Sequence, residues 1–130
     1  MFGRRMGLAA AFLLLVPVLL VAGDSIPKDQ IDASKIYYGS PQSFKNAAEV
    51  DIETVIVATP EYQEITKKKI DQGTGKYWIL KVQASNRALK ATLDVAAETD
   101  FDLIAEQGYL EKLDPPIGSK DITELVVSKL

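Results

Sequence analysis

Residues 101–130 read FDLIAEQGYLEKLDPPIGSKDITELVVSKL, and the reading of this stretch decides the fold. Phe101 to Gln107 is a short apolar run of strand character, with Phe101, Leu103 and Ala105 on one face. Gly108 punctuates it, and Tyr109 to Leu113 reads as a second short strand. Pro115, Pro116 and Gly118 then close the region with residues that continue neither a helix nor a central strand. Asp121 stands as the N-cap of a final helix, and Glu124, three positions on, completes a capping box. Ile122, Leu125, Val126 and Leu130 share one face of that helix. Two strands and a capped amphipathic helix make a docking module; they contain no catalytic constellation.

Upstream, Thr59-Pro60-Glu61 is a clean helix start: a hydroxyl N-cap, proline at the first helical position and an acid at the positive end of the dipole. Tyr62, Ile65, Thr66 and Ile70 share one side of this helix through to Gln72. Gly73-Thr74-Gly75 breaks it, and a longer helix runs from about Lys76 to Thr99, giving a hairpin over about 60–99. On the longer helix Tyr77, Leu80, Ala84, Ala88, Ala91 and Val95 form one apolar stripe, and Trp78, Val82, Leu89, Leu93 and Ala96 form another. Gln83, Asn86, Arg87, Lys90 and Asp94 take the remaining face. A helix apolar around so much of its circumference packs on more than one partner. Tyr77, Trp78, Ile79 and Leu80, beside the hairpin tip, are the candidate client or subunit contact. Either they are an exposed grip for other proteins, or Tyr77 and Leu80 pack on the first arm with Trp78 in a contact between subunits. The stripe that Trp78 shares with Leu89 and Leu93 favours packing.

Before the hairpin the signals are mixed. Ser40-Pro41 reads as a helix start. Phe44, Ala48, Ile52, Val55 and Ile56 fit a helical face, while Phe44, Asn46, Ala48 and Val50 fit a strand face, so periodicity leaves 44–56 open. Residues 24–40 read as a linker with a mobile first half, leading into a short strand at Ile36-Tyr37-Tyr38. Residues 1–23 read as an export signal: Arg4 and Arg5 precede the apolar stretch Leu8 to Val21, and Val21-Ala22-Gly23 suits cleavage. The apolar stretch is short for a spanning helix, so a cleaved signal is favoured over an N-terminal anchor.

Composition narrows the function classes. The chain of 130 residues is one domain's worth, and removal of the signal leaves 13 basic against 18 acidic residues, a net charge of about −5. An acidic domain is a poor partner for nucleic acid or anionic lipid. The one basic run, Lys67-Lys68-Lys69, reads as a solvated helix face with Glu64 paired to Lys68. With no cysteine, the fold depends on its core or on self-association, and no lipid acceptor follows the signal. With no histidine or cysteine, the commonest general base, thiol nucleophile and transition-metal ligands are absent. Asp51 with Glu53, or Asp100 with Asp102, would each share a strand face, yet read as solubilising acids, with no base or orienting partner in view. Ser40 and Ser43 have no activating base, and Gly73-Thr74-Gly75-Lys76 lacks the spacing of a phosphate loop and reads as a helix–helix turn. The expectation is a non-enzyme without cofactor or metal.

Several segments taken together resemble the Skp/OmpH family of periplasmic chaperones. Glu49-Val50-Asp51-Ile52-Glu53-Thr54-Val55 and Ala58-Thr59-Pro60-Glu61-Tyr62 look like the family's first strand, its turn and its helix start. Phe101-Asp102-Leu103-Ile104-Ala105 looks like the strand after the hairpin, and Asp121-Ile122-Thr123 with Leu125-Val126 and Lys129-Leu130 like the closing helix. The resemblance implies an α+β fold: a small β-sheet body with a short α-helical hairpin and a C-terminal capping helix, as one domain over 41–130. It favours strand near Val50. It also implies a homotrimer in the periplasm that binds unfolded outer-membrane or envelope proteins without ATP. Two features depart from the family: arms of only about 20 and 35 Å at 1.5 Å per residue, and acidic rather than basic charge. These keep a second expectation in view, a non-catalytic adaptor subunit of an envelope complex that has lost its client-holding arms.

Overall fold

The computed structural model describes residues 23–130. The expected export signal, Gly23 excepted, lies outside the described residues. The protein is an α+β structure with a four-stranded sheet in the order β1-β3-β2-β4. The strands are β1 (Ile36–Gly39), β2 (Ala47–Val50), β3 (Leu103–Glu106) and β4 (Lys120–Asp121). The helices are α1 (Ile52–Ala58), α2 (Pro60–Lys68), α3 (Gly75–Glu98) and α4 (Thr123–Val127). β2 runs parallel to both β3 and β4, and β1 pairs antiparallel with β3.

The ambiguous segment 44–56 is both things in turn: strand through Val50, helix from Ile52. Asp51 makes the change, accepting hydrogen bonds from the Thr54 amide at 3.3 Å and the Thr54 hydroxyl at 2.8 Å. Thr59 ends α1 and caps α2, accepting from the Tyr62 amide at 3.2 Å while its own hydroxyl donates to the Ile56 carbonyl. α2 stops at Lys68, four residues before the expected Gln72. Lys69 adopts φ 51°, and the amides of Lys69 and Ile70 turn back to the carbonyls of Thr66 and Ile65. That is a Schellman stop with an isoleucine in the residue after the left-handed one, so the chain ends the helix before the glycines arrive. Thr74, accepting from the Tyr77 amide, opens α3.

Four other expectations are corrected. Tyr109 to Leu113 is not a strand, because both edges of β3 are already occupied by β1 and β2; the chain makes a 3-10 turn over Leu110–Lys112 instead. Asp121 does not cap the last helix in a box. The Ile122 amide still donates to the Glu49 carbonyl in the sheet, so α4 starts at Thr123, and the Asp121 carboxylate takes the Thr123 amide and hydroxyl. Leu125 is exposed, leaving Ile122 and Val126 as the buried face. Ser40-Pro41 opens no helix: the Pro41 carbonyl accepts from the Ile26 amide at 2.7 Å, and Phe44 bridges to Asp24.

Those contacts bring the expected linker onto the body. Ile26 is buried, the Gln30 side chain bonds both backbone groups of Asp114, and the Tyr109 hydroxyl joins the Asp32 amide to the Gln30 carbonyl. Gly39, at φ 92°, lets β1 turn where a Cβ would run into the Asp102 carbonyl. The sheet therefore has a core on each face. One gathers Ala48, Val50, Ile104 and Ile122 with Val55, Ile56, Ala84, Ala88, Ala91, Val95 and Val126 from the helices. The other joins Ala47, Leu103 and Ala105 to Ile26, Phe44, Leu110 and Leu113. All of β2 is buried, as expected of a parallel strand covered on both faces.

Glu49 is the one acid of β2, only 7% exposed, and its carboxylate accepts from the Leu110 amide at 2.9 Å. Glu49→Ala is expected to cost about 1–3 kcal/mol, because the Leu110 amide loses its partner. Glu49→Gln keeps an acceptor and is expected to cost less. Urea unfolding of the two variants checks the order.

Candidate functional site

α3 has two apolar faces, and the structure treats them oppositely. Leu80, Ala84, Ala88, Ala91 and Val95 are buried against α1, α2, α4 and β1. Trp78, Val82, Leu89 and Leu93, the expected second stripe, face water at 53, 55, 39 and 48% exposure, while Ala96 at its C-terminal end is buried. Ile79 borders the stripe and is 61% exposed.

The tip cluster therefore divides. Leu80 is buried, Tyr77 is half-buried, and Trp78 and Ile79 are free, with the Tyr77 and Trp78 rings edge to face at 5.1 Å. The four residues do not act as one patch, because successive positions on a helix point 100° apart and fall on different sides. The sequence pattern makes Val82, Leu89 and Leu93 packing positions. The 3.6 period grouped them correctly but carried no sign of which stripe faced the body.

Charge frames this face. Arg87 forks onto Glu61 with two bonds of 2.8 Å and ties α3 to the start of α2. Lys81 reaches Glu53 at 3.6 Å and Lys90 reaches Asp94 at 3.2 Å. Glu64 meets Lys68, as expected, and also Lys76. The bond from Arg87 holds the Glu61 carboxyl below the ordinary carboxylate range and pushes the Arg87 guanidinium up.

Of the four carboxylates considered for chemistry, Asp51 and Asp102 are occupied by the backbone. Asp51 caps α1, so it does not share a strand face with Glu53, which lies on the helix. Asp102 sits ahead of β3 and takes the Lys45 and Asn46 amides at 2.8 Å each, while Asp100 is exposed. Asp121 lies below its ordinary value because of the Thr123 bonds. Tyr37 is pushed well above its ordinary value by burial and by its 2.7 Å bond to Glu106. A depression of about 120 Å³ near Lys35, Glu106, Tyr109 and Lys112 is well short of the roughly 300 Å³ of a ligand pocket. Among the described residues no cluster of three acids could hold a metal ion, and no helix is long and apolar enough to cross a membrane.

In comparison with known proteins, the chain matches no family model, no curated protein and no solved structure.

Glu61 and Asp121 set a pH dependence of stability. Each has a folded pKa below its unfolded one, so each stabilises the fold above the unfolded value, about 4, and this is lost as pH falls through the folded values. The urea midpoint is expected to drop between about pH 5 and pH 2, and to drop less in Glu61→Gln.

Proposed function

We propose that the protein is an exported, non-catalytic binder of other envelope proteins, working without nucleotide in the periplasm in the manner of an arm-shortened Skp/OmpH chaperone. What supports this reading is the water-facing stripe of Trp78, Val82, Leu89 and Leu93: contiguous apolar surface on a monomer marks an interaction site. The family reading draws support from element types. Val50 ends a strand, Thr59-Pro60-Glu61 starts a helix, Leu103 to Ala105 is strand, and a helix follows Asp121-Ile122-Thr123.

A second reading, an adaptor subunit of an envelope complex, is favoured by the hairpin's dimensions. At 1.5 Å per residue α2 is about 14 Å long and α3 about 36 Å, and α3 spends its inner face on the body. Such a hairpin offers one flat strip and encloses nothing. The acidic charge adds no attraction for anionic partners.

The test is aggregation of an outer-membrane barrel protein diluted from urea, with and without the chain from Gly23 onward. Holding of the client in a soluble complex, weakened at least several-fold by Leu93→Ser, is the expected result. A client that aggregates at its own rate would leave the adaptor reading.

A further inference from the structure

The exposed stripe of α3 has a symmetry that its role as a protein-binding surface does not require. Trp78 and Leu93 lie equally far on either side of the midpoint between Ser85 and Asn86, and Val82 and Leu89 do the same. A two-fold axis through that midpoint, perpendicular to the helix, lays a second α3 antiparallel on the first. Each Trp78 then meets the partner's Leu93, and each Val82 the partner's Leu89. We propose that the resting protein is a two-fold dimer joined along this stripe, in place of the homotrimer that the family resemblance implies, its occupant being a second copy of the same chain.

Three features of the surface support that occupant. The first is shape. The apolar positions run over about 22 Å from Trp78 to Leu93, and the residues at the midpoint, Ser85 and Asn86, are small enough for two helices to approach to the 8–10 Å of ordinary helix packing. The second is area. Trp78, Ile79, Val82, Leu89 and Leu93 leave roughly 500 Å² of side-chain-rich surface in water, within the roughly 300–600 Å² of a monomer's largest apolar patch, which is often a functional one. Complete burial of two such faces would remove about 1,000 Å², the threshold of a specific interface, and flanking residues would add to it. The third is charge. No charged residue interrupts the stripe, and Lys81 and Lys90 at its borders are each paired within their own copy, to Glu53 and Asp94. A self-contact therefore brings no unpaired like charges together, and the net negative charge of the rest of the body stays outside it.

The inference rests on the stripe being the protein-binding surface, and it adds that client and second copy compete for it. The test is the mass of the chain from Gly23 onward by light scattering at about 50 μM, without client; both core clusters lie within this part of the chain. A dimer is expected. Val82→Glu and Leu89→Lys are each expected to give a folded monomer, with unchanged circular dichroism because both positions are exposed, and dimerisation weakened at least 100-fold. The Val82→Glu/Leu89→Lys double variant is expected to dimerise again, since the antiparallel axis sets each new acid against the partner's new base. A wild-type monomer or trimer, single variants that remain dimeric, or a double variant that stays monomeric would overturn the proposal. Client holding is scored separately: a monomer that holds client sinks only the dimer, and a dimer that holds none sinks only the chaperone reading.

Discussion

Ala84, Ala88 and Ala91 have no side chain beyond Cβ, and that shortness lets α3 lie close against α1, α4 and β1. Their spacing keeps them on one face, so α3 commits that face along much of its length. The helical layer is arranged by this contact. α1 and α4 are short helices, of seven and five residues, too short to stand alone, and they are stable because α3 completes the core they share with β2 and β3. α2 is held by Ile65 and by the Glu61–Arg87 fork on the same helix. Once the alanine face is spent on the body, the Trp78–Leu93 face has nowhere to go but outward.

The second core shows how the remaining surface is closed. The sheet's far face would stand open if residues 24–35 were a free linker. They wrap it instead, with Ile26 and Phe44 inserted beside Leu103 and Leu110 and with polar ties from Gln30 and Asp32 to the loop around Tyr109 and Asp114. Buried acid Glu49 fastens the same loop from the sheet side. In a chain without cysteine, such hydrogen-bonded ties between distant segments take the place of disulfides in fixing a small body.

What the sequence made legible was local. Caps and breakers at Thr59, Pro60 and the Gly73 region located the hairpin, and the 3.6 period separated the two stripes of α3, because these signals are written within a few residues. What it hid depended on distant partners. Tyr109 to Leu113 could not be excluded as a strand without knowing that β3 has no free edge. Asp121 could not be denied its capping role without the sheet bond from Ile122 to Glu49. The lead-in looked polar and loose because Ile26 is a single apolar residue whose partners lie far along the chain. For the site, the sequence marked Trp78 and Ile79 but bundled them with the inward Tyr77 and Leu80, since aromatic clustering along the chain was a poorer guide than position around the helix.

The central claim is that α3 has one bound and one free face, and a cysteine scan reads it directly in a chain that has no thiol of its own. Single cysteines placed at Trp78, Val82, Ala84, Ala88, Leu89, Ala91 and Leu93 would be alkylated at high dilution, where copies are apart. Fast labelling at Trp78, Val82, Leu89 and Leu93, with slow labelling at Ala84, Ala88 and Ala91, is the result this account predicts. Uniform rates along the helix, or protection of the Trp78 face, would contradict it.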